Sequence, residues 1–167
     1  FIIDMTKELF NKDALIFDLR YNTGGNVHDE VLKFLSQKSY LNWKYREGKL
    51  APQSNFAPSD MPIVLLINEQ SLSDAEMTAQ GFKELKLGKI IGNGTYRWII
   101  FTSGVSLVDG SNVRMPSWGC YSFDGKDLEL SGVQPDTLII NTFEDKLTGK
   151  DPQLDKAIEE MLKQLNR

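Results

Sequence analysis

The segment that most limits the fold is Ile63-Val64-Leu65-Leu66-Ile67, an unbroken apolar run of strand length. The polar turn Asn68-Glu69-Gln70-Ser71-Leu72 follows it, and then Ser73-Asp74-Ala75-Glu76. This switch predicts a strand, a short turn and a helix that opens at Ser73. Ala14-Leu15-Ile16-Phe17-Asp18-Leu19 repeats the first half of the pattern. A run so nearly continuous predicts a strand covered on both faces, as in a parallel sheet.

The remaining elements follow from periodicity. A helix is expected over residues 2–11, with Ile2, Ile3, Leu9 and Phe10 on one face. Another runs from about Val27 to Leu35, with Val31, Leu32 and Leu35 inward. The helix opened at Asp74 reaches about Leu85, places Met77, Phe82 and Leu85 inward, and stops at Gly88. Lys89–Gly92 reads as a further short buried strand. Residues 37–61 form a polar excursion with one short strand near Tyr40–Tyr45. Trp98–Thr102, Val105–Leu107, Asn112–Met115 and Trp118–Phe123 read as strands separated by turns such as Asp109-Gly110. Asp151-Pro152 opens a last helix, with Leu154, Ile158, Met161, Leu162 and Leu165 on its apolar face. Alternating strands and helices followed by short strands predict an α/β layered domain with a mainly parallel core sheet.

Composition excludes several function classes. The 167 residues carry a net charge of −4, and the 19 Lys and Arg are scattered, so no basic stripe points to nucleic acid. A single cysteine, Cys120, rules out an internal disulfide framework and a cysteine zinc site. As a nucleophile it has no support; packing on a strand is its expected role. No apolar run approaches the roughly 18 residues a membrane span needs. The chain begins Phe1-Ile2-Ile3-Asp4 without an initiator Met and reads as the C-terminal piece of something longer.

Three loops could carry chemistry. A serine at a helix start sits among unpaired N–H groups and near the positive end of the helix dipole. That is good ground for a nucleophile whose intermediate bears an oxyanion, although serine there is also a common helix cap. Asn22-Thr23-Gly24-Gly25 follows the strand Ala14–Leu19. It is either a tight turn or a backbone donor, from Gly25, aimed at an oxyanion. It lacks the spacing of a dinucleotide fingerprint and of a phosphate-binding loop, and no other motif asks for a cofactor. In a parallel sheet both loops leave by the same edge, where ligands gather. Gly25 and Ser73 are therefore expected to meet across one pocket, with the Asp74 amide as second donor. The third loop, Glu129–Asp136, offers Glu129 either as a solvated acid or as support for a base.

Together these residues carry a resemblance. Asp18-Leu19-Arg20-Tyr21-Asn22-Thr23-Gly24-Gly25, Asn68-Glu69-x-x-x-Ser73-Asp74, Leu87-Gly88-Lys89-Ile90-Ile91-Gly92 and Gly132-Val133-x-Pro135-Asp136 resemble the C-terminal-processing (tail-specific) serine peptidases. The ending Leu147-Thr148-Gly149-Lys150-Asp151-Pro152-Gln153 resembles the tricorn-type branch. The resemblance covers nearly the whole chain and implies a crotonase/Clp-like α/β sandwich. It implies that residues 1–167 are one peptidase catalytic domain acting on peptides or unfolded proteins. Ser73 matches the nucleophile, Gly25 and Asp74 the oxyanion-hole donors, and Glu129 the acid of a Ser-His-Ser-Glu tetrad. Gly24 lies in the substrate-binding loop. The tricorn-type branch implies the cytoplasm, whereas many other members are exported; a homo-oligomer is also compatible.

The base departs from the family pattern. Trp98 stands where the processing branch carries its lysine, and Arg97 cannot replace it because a guanidinium stays protonated. The tricorn-type histidine lies upstream of this region. The sole histidine, His28, does not match it and reads as a surface or pocket-rim residue. The base is thus expected from a His-bearing domain of the same protein, and the chain alone is expected to be inactive. An ungapped comparison places Trp43 at a specificity position, which would favour apolar substrate residues. Two alternatives stand: a non-catalytic peptide-binding module, which the missing base favours, and an acyl-CoA enzyme of crotonase type, which leaves Ser73 with Glu129 unexplained.

Overall fold

The computed structural model describes residues 1–8, 11–53 and 57–166. Ile63–Ile67 is strand β4, buried along its whole length. It lies between β1 (Leu15–Asp18) and β5 (Lys89–Gly92), and β8 (Thr137–Leu138) extends the sheet beyond β5. All three pairings are parallel, with Leu15 opposite Ile63 and Leu65 opposite Ile90.

The side chains of β4 alternate between two cores, which explains its unbroken apolar character. Ile63, Leu65 and Ile67 pack with Leu32 and Leu35 of helix α2 (His28–Leu35), with Ala79 and Phe82 of α3 (Asp74–Glu84), and with Met5 of α1 (Ile2–Lys7). Val64 and Leu66 pack with Ile91 and with Ala157 and Met161 of α6 (Pro152–Gln164). Helices therefore cover both faces of a parallel sheet, as expected for an α/β fold. Full burial of one such side chain contributes about 2 kcal/mol, so β4 anchors the loops at its ends.

Two antiparallel hairpins project from this frame: β2 (Asn42–Lys44) with β3 (Leu50–Pro52), and β6 (Ile100–Ser106) with β7 (Asn112–Gly119). Short helices α4 (Leu128–Ser131) and α5 (Phe143–Thr148) complete the chain.

Several boundaries differ from expectation. The first helix ends at Lys7, and Leu9 and Phe10 lie outside the described residues. The strand near Tyr40–Tyr45 is β2, and its partner β3 was not foreseen. Four expected strands become two, because the ladder from β6 to β7 runs on through Ser103 and Gly104, while Cys120 leaves it. Helix α3 stops at Glu84 because Lys86, not Gly88, takes the left-handed conformation (φ 54°). On α6, Ile158 and Leu162 remain exposed, and Ala157 and the buried Gln153 share the inner face with Met161.

Candidate active site

Strands β1 and β4 run parallel, so the loops that follow them emerge side by side. Hydrogen bonds then stitch them together. Leu72 N–H donates to Asn22 O (3.0 Å), and Tyr21 N–H donates to Asn68 Oδ1 (3.1 Å). The buried Ser71 hydroxyl donates to Leu19 O (2.8 Å) and accepts from Asn68 N–H (3.0 Å).

Ser73 is the N-cap of α3 and has φ 58° and ψ −115°. That is a costly conformation for a residue with a side chain, about 1–3 kcal/mol. Such a turn between strand and helix thrusts a serine side chain out of the backbone. The neighbouring loop makes room for it. Gly24 has φ 104°, and a Cβ built there would lie 2.8 Å from Ser73 Cβ and 3.2 Å from Ser73 Oγ. Gly25 and Ser73 line one concavity of about 240 Å³ with Met77, Ile99 and Phe101. A second, of about 430 Å³, holds Ser73 with Thr23, Leu72 and Trp98. Among the described residues, the N–H groups of Gly25 and Asp74 have no protein acceptor. Two free donors beside the serine are the chemical requirement for holding an oxyanion.

Glu76 fixes this geometry from below. Its carboxylate is buried and accepts from Ser73 N–H (3.1 Å) and Trp98 N–H (2.8 Å) through one oxygen. The other oxygen accepts from the Thr95 hydroxyl (2.5 Å) and Arg97 N–H (2.9 Å). Thr95 Oγ1 in turn accepts from Val133 N–H (2.9 Å), and Asp136 accepts from Ile90 N–H (2.8 Å). The motifs separated along the chain thus meet around Ser73 and β5.

Asp74 does more than offer its amide. Its buried carboxylate accepts from Val27 N–H (3.0 Å) and His28 N–H (3.3 Å), capping α2, and pairs with His28 Nδ1 at 2.5 Å. His28 is thereby engaged by Asp74, and it lines neither concavity that holds Ser73. Trp43 and Glu129 are exposed on β2 and α4, and they line neither concavity either. Burial pushes the Cys120 thiol up, and the carboxylates of Glu76 and Asp127 add to the effect; a thiol so disposed is a poor nucleophile. Among the described residues no helix is long and apolar enough to cross a membrane.

Reading the sequence missed Glu76 and Arg114. The signature of a capping serine followed three residues later by glutamate was available for Glu76. No local pattern marks Arg114, which reaches both concavities only because β7 pairs with β6.

A strained serine opening a helix at the carboxyl edge of a parallel sheet, opposite a diglycine loop, is the layout of an α/β serine hydrolase. Residues 1–139 match Peptidase family S41. The chain belongs to that family and is a serine peptidase domain. Tricorn protease of Thermoplasma acidophilum is 34% identical over 154 residues, which cover 91% of this chain and 14% of the relative. The crystal structure of the tricorn protease matches with a TM-score of 0.79 at 30% identity, over 95% of this chain and 16% of that one. The photosystem II D1 C-terminal processing protease matches with a TM-score of 0.62 at 26% identity, over 80% of this chain and 37% of that one. The chain spans 13% to 18% of the length of the curated tricorn relatives it matches.

Proposed function

We propose that this chain is the catalytic domain of a tricorn-like serine endopeptidase acting on peptides or unfolded proteins. Ser73 attacks the scissile carbonyl. The Gly25 and Asp74 amides hold the oxyanion of the tetrahedral intermediate, an effect worth roughly 3–4 kcal/mol per donor in comparable enzymes. The observation that carries this reading is the strained Ser73 backbone, whose side chain lies against a loop whose Gly25 amide has no acceptor among the described residues.

The proton acceptor is a histidine supplied from outside residues 1–167, in a His-bearing part of the same protein. The sole histidine here is held by Asp74, and the tricorn relatives are several times longer. Glu129 would act on that histidine through a hydrogen-bonded relay, and Trp43 would favour apolar substrate residues; both roles rest on the family resemblance. A second reading, a peptide-binding module without activity, is favoured for the chain alone by the engagement of His28 with Asp74. Labelling of the intact protein by a fluorophosphonate, lost in Ser73→Ala, is the outcome expected of the peptidase. Hydrolysis that survives Ser73→Ala would remove Ser73 from the mechanism.

A further inference from the structure

Among the described residues, Arg114 is the one charged residue lining either concavity that holds Ser73, and it lines both. It sits on β7 opposite β6, and its Nε and Nη2 donate to Thr102 Oγ1 at 3.0 and 2.7 Å. Thr102 is a neutral acceptor. Among the described residues Arg114 makes no ion pair. Arg20 shows the contrast: it is nearly buried and is held by Asp18 and Asp151 at 2.7 Å each. Arg114 is exposed at its wall and, among the described residues, has no carboxylate partner.

The rest of the wall limits what the cation can meet. Met77, Ile99 and Phe101 supply the apolar half of the smaller concavity's lining, and Asn26, Ser73 and Thr102 make much of the rest polar. A peptide laid against Ser73 would bring an apolar side chain to that wall and a neighbouring group to Arg114. The planar fork of a guanidinium matches a carboxylate better than any other peptide group.

Building on the peptidase reading, we propose that Arg114 is a specificity-determining residue that selects substrates with a carboxylate close to the scissile bond. The carboxylate belongs either to an acidic side chain or to the free end of the peptide. Because the pair forms at an exposed wall, salt would weaken the preference.

The test uses the intact protein and a matched set of peptides that share one apolar residue at the cleavage site. One arm exchanges Glu for Gln beside that residue. The other exchanges a free C-terminus for an amide. Hydrolysis is read as kcat/KM, and binding is read as Kd in the Ser73→Ala variant. Removing the preferred carboxylate should weaken both by about tenfold. In Arg114→Gln the ratio of acid to amide should fall to near one, and the arm that responds identifies the source. No preference in the unaltered protein, or a preference that survives Arg114→Gln, overturns the proposal. If the Ser73→Ala variant discriminates the acids while the unaltered protein hydrolyses nothing, the carboxylate site stands and the peptidase reading fails.

Discussion

Gly24 and Ser73 lie so close that a methyl group on Gly24 would stand 2.8 Å from Ser73 Cβ and 3.2 Å from its hydroxyl oxygen. The diglycine loop therefore does two different things. Gly24 makes space for the Ser73 side chain, and Gly25 shares a concavity with it. The space beside the Ser73 side chain is kept open by a missing one.

Gly24→Ala should therefore disable the site with modest loss of folding. The φ of 104° adds strain of about 1–3 kcal/mol, and the methyl group displaces the hydroxyl from its attacking position. A displacement of about 1 Å lowers rates about 100-fold. Fluorophosphonate labelling rates and melting temperatures of the intact protein would check this. Labelling at an unchanged rate would show that the two loops are less tightly apposed.

Glu76→Gln should destabilise the fold by about 3 kcal/mol despite its near-identical shape. Every acceptor site used by Glu76 faces a donor, so the new NH₂ group must meet either the Thr95 hydroxyl and Arg97 N–H or the N–H groups of Ser73 and Trp98. Chemical denaturation reads the loss directly. A variant as stable as the parent would mean that the carboxylate is replaceable by any isosteric acceptor.

His28→Ala should leave hydrolysis within about tenfold of the parent, because its ring serves the Asp74 carboxylate. Removal of a general base lowers rates about 10²–10⁴-fold. A loss on that scale would make His28 the base and withdraw the need for a histidine from elsewhere.

Asp151 links stability to pH. The Arg20 guanidinium holds its carboxyl at about 2, below the usual 3.8. A carboxyl lowered on folding stabilises the native state above the unfolded value, and that contribution disappears as pH falls through the folded one. The window is thus pH 4 to 2. With the side chain 32% exposed, screening reduces the contribution to about 1 kcal/mol. Asp151→Asn should be less stable than the parent at pH 5, and the gap should close by pH 2. A gap that stays constant across this range would rule out the charge as its source.

The sequence made the frame legible where one interaction dominates. Strand β4 is apolar because it feeds two cores, and α3 and α6 announce themselves through capping residues at Ser73 and Asp151. What stayed hidden depends on distant partners. β8 has two residues and exists because Asp136 and Leu138 meet β5. Pairing of β6 with β7 decides where Arg114 stands, and no spacing along the chain encodes that. The expectation of a surface or pocket-rim residue at His28 did not include its pairing with Asp74, since that contact joins residues 46 positions apart.

One carboxylate, that of Glu76, accepts from both Ser73 N–H and Trp98 N–H, and the two residues line one concavity. If the proposed peptidase reading holds, reactivity and selectivity are not separate dials in this protein. Any redesign that moves Trp98 will tug on Ser73, and laboratory evolution of new specificities should have to retune both at once.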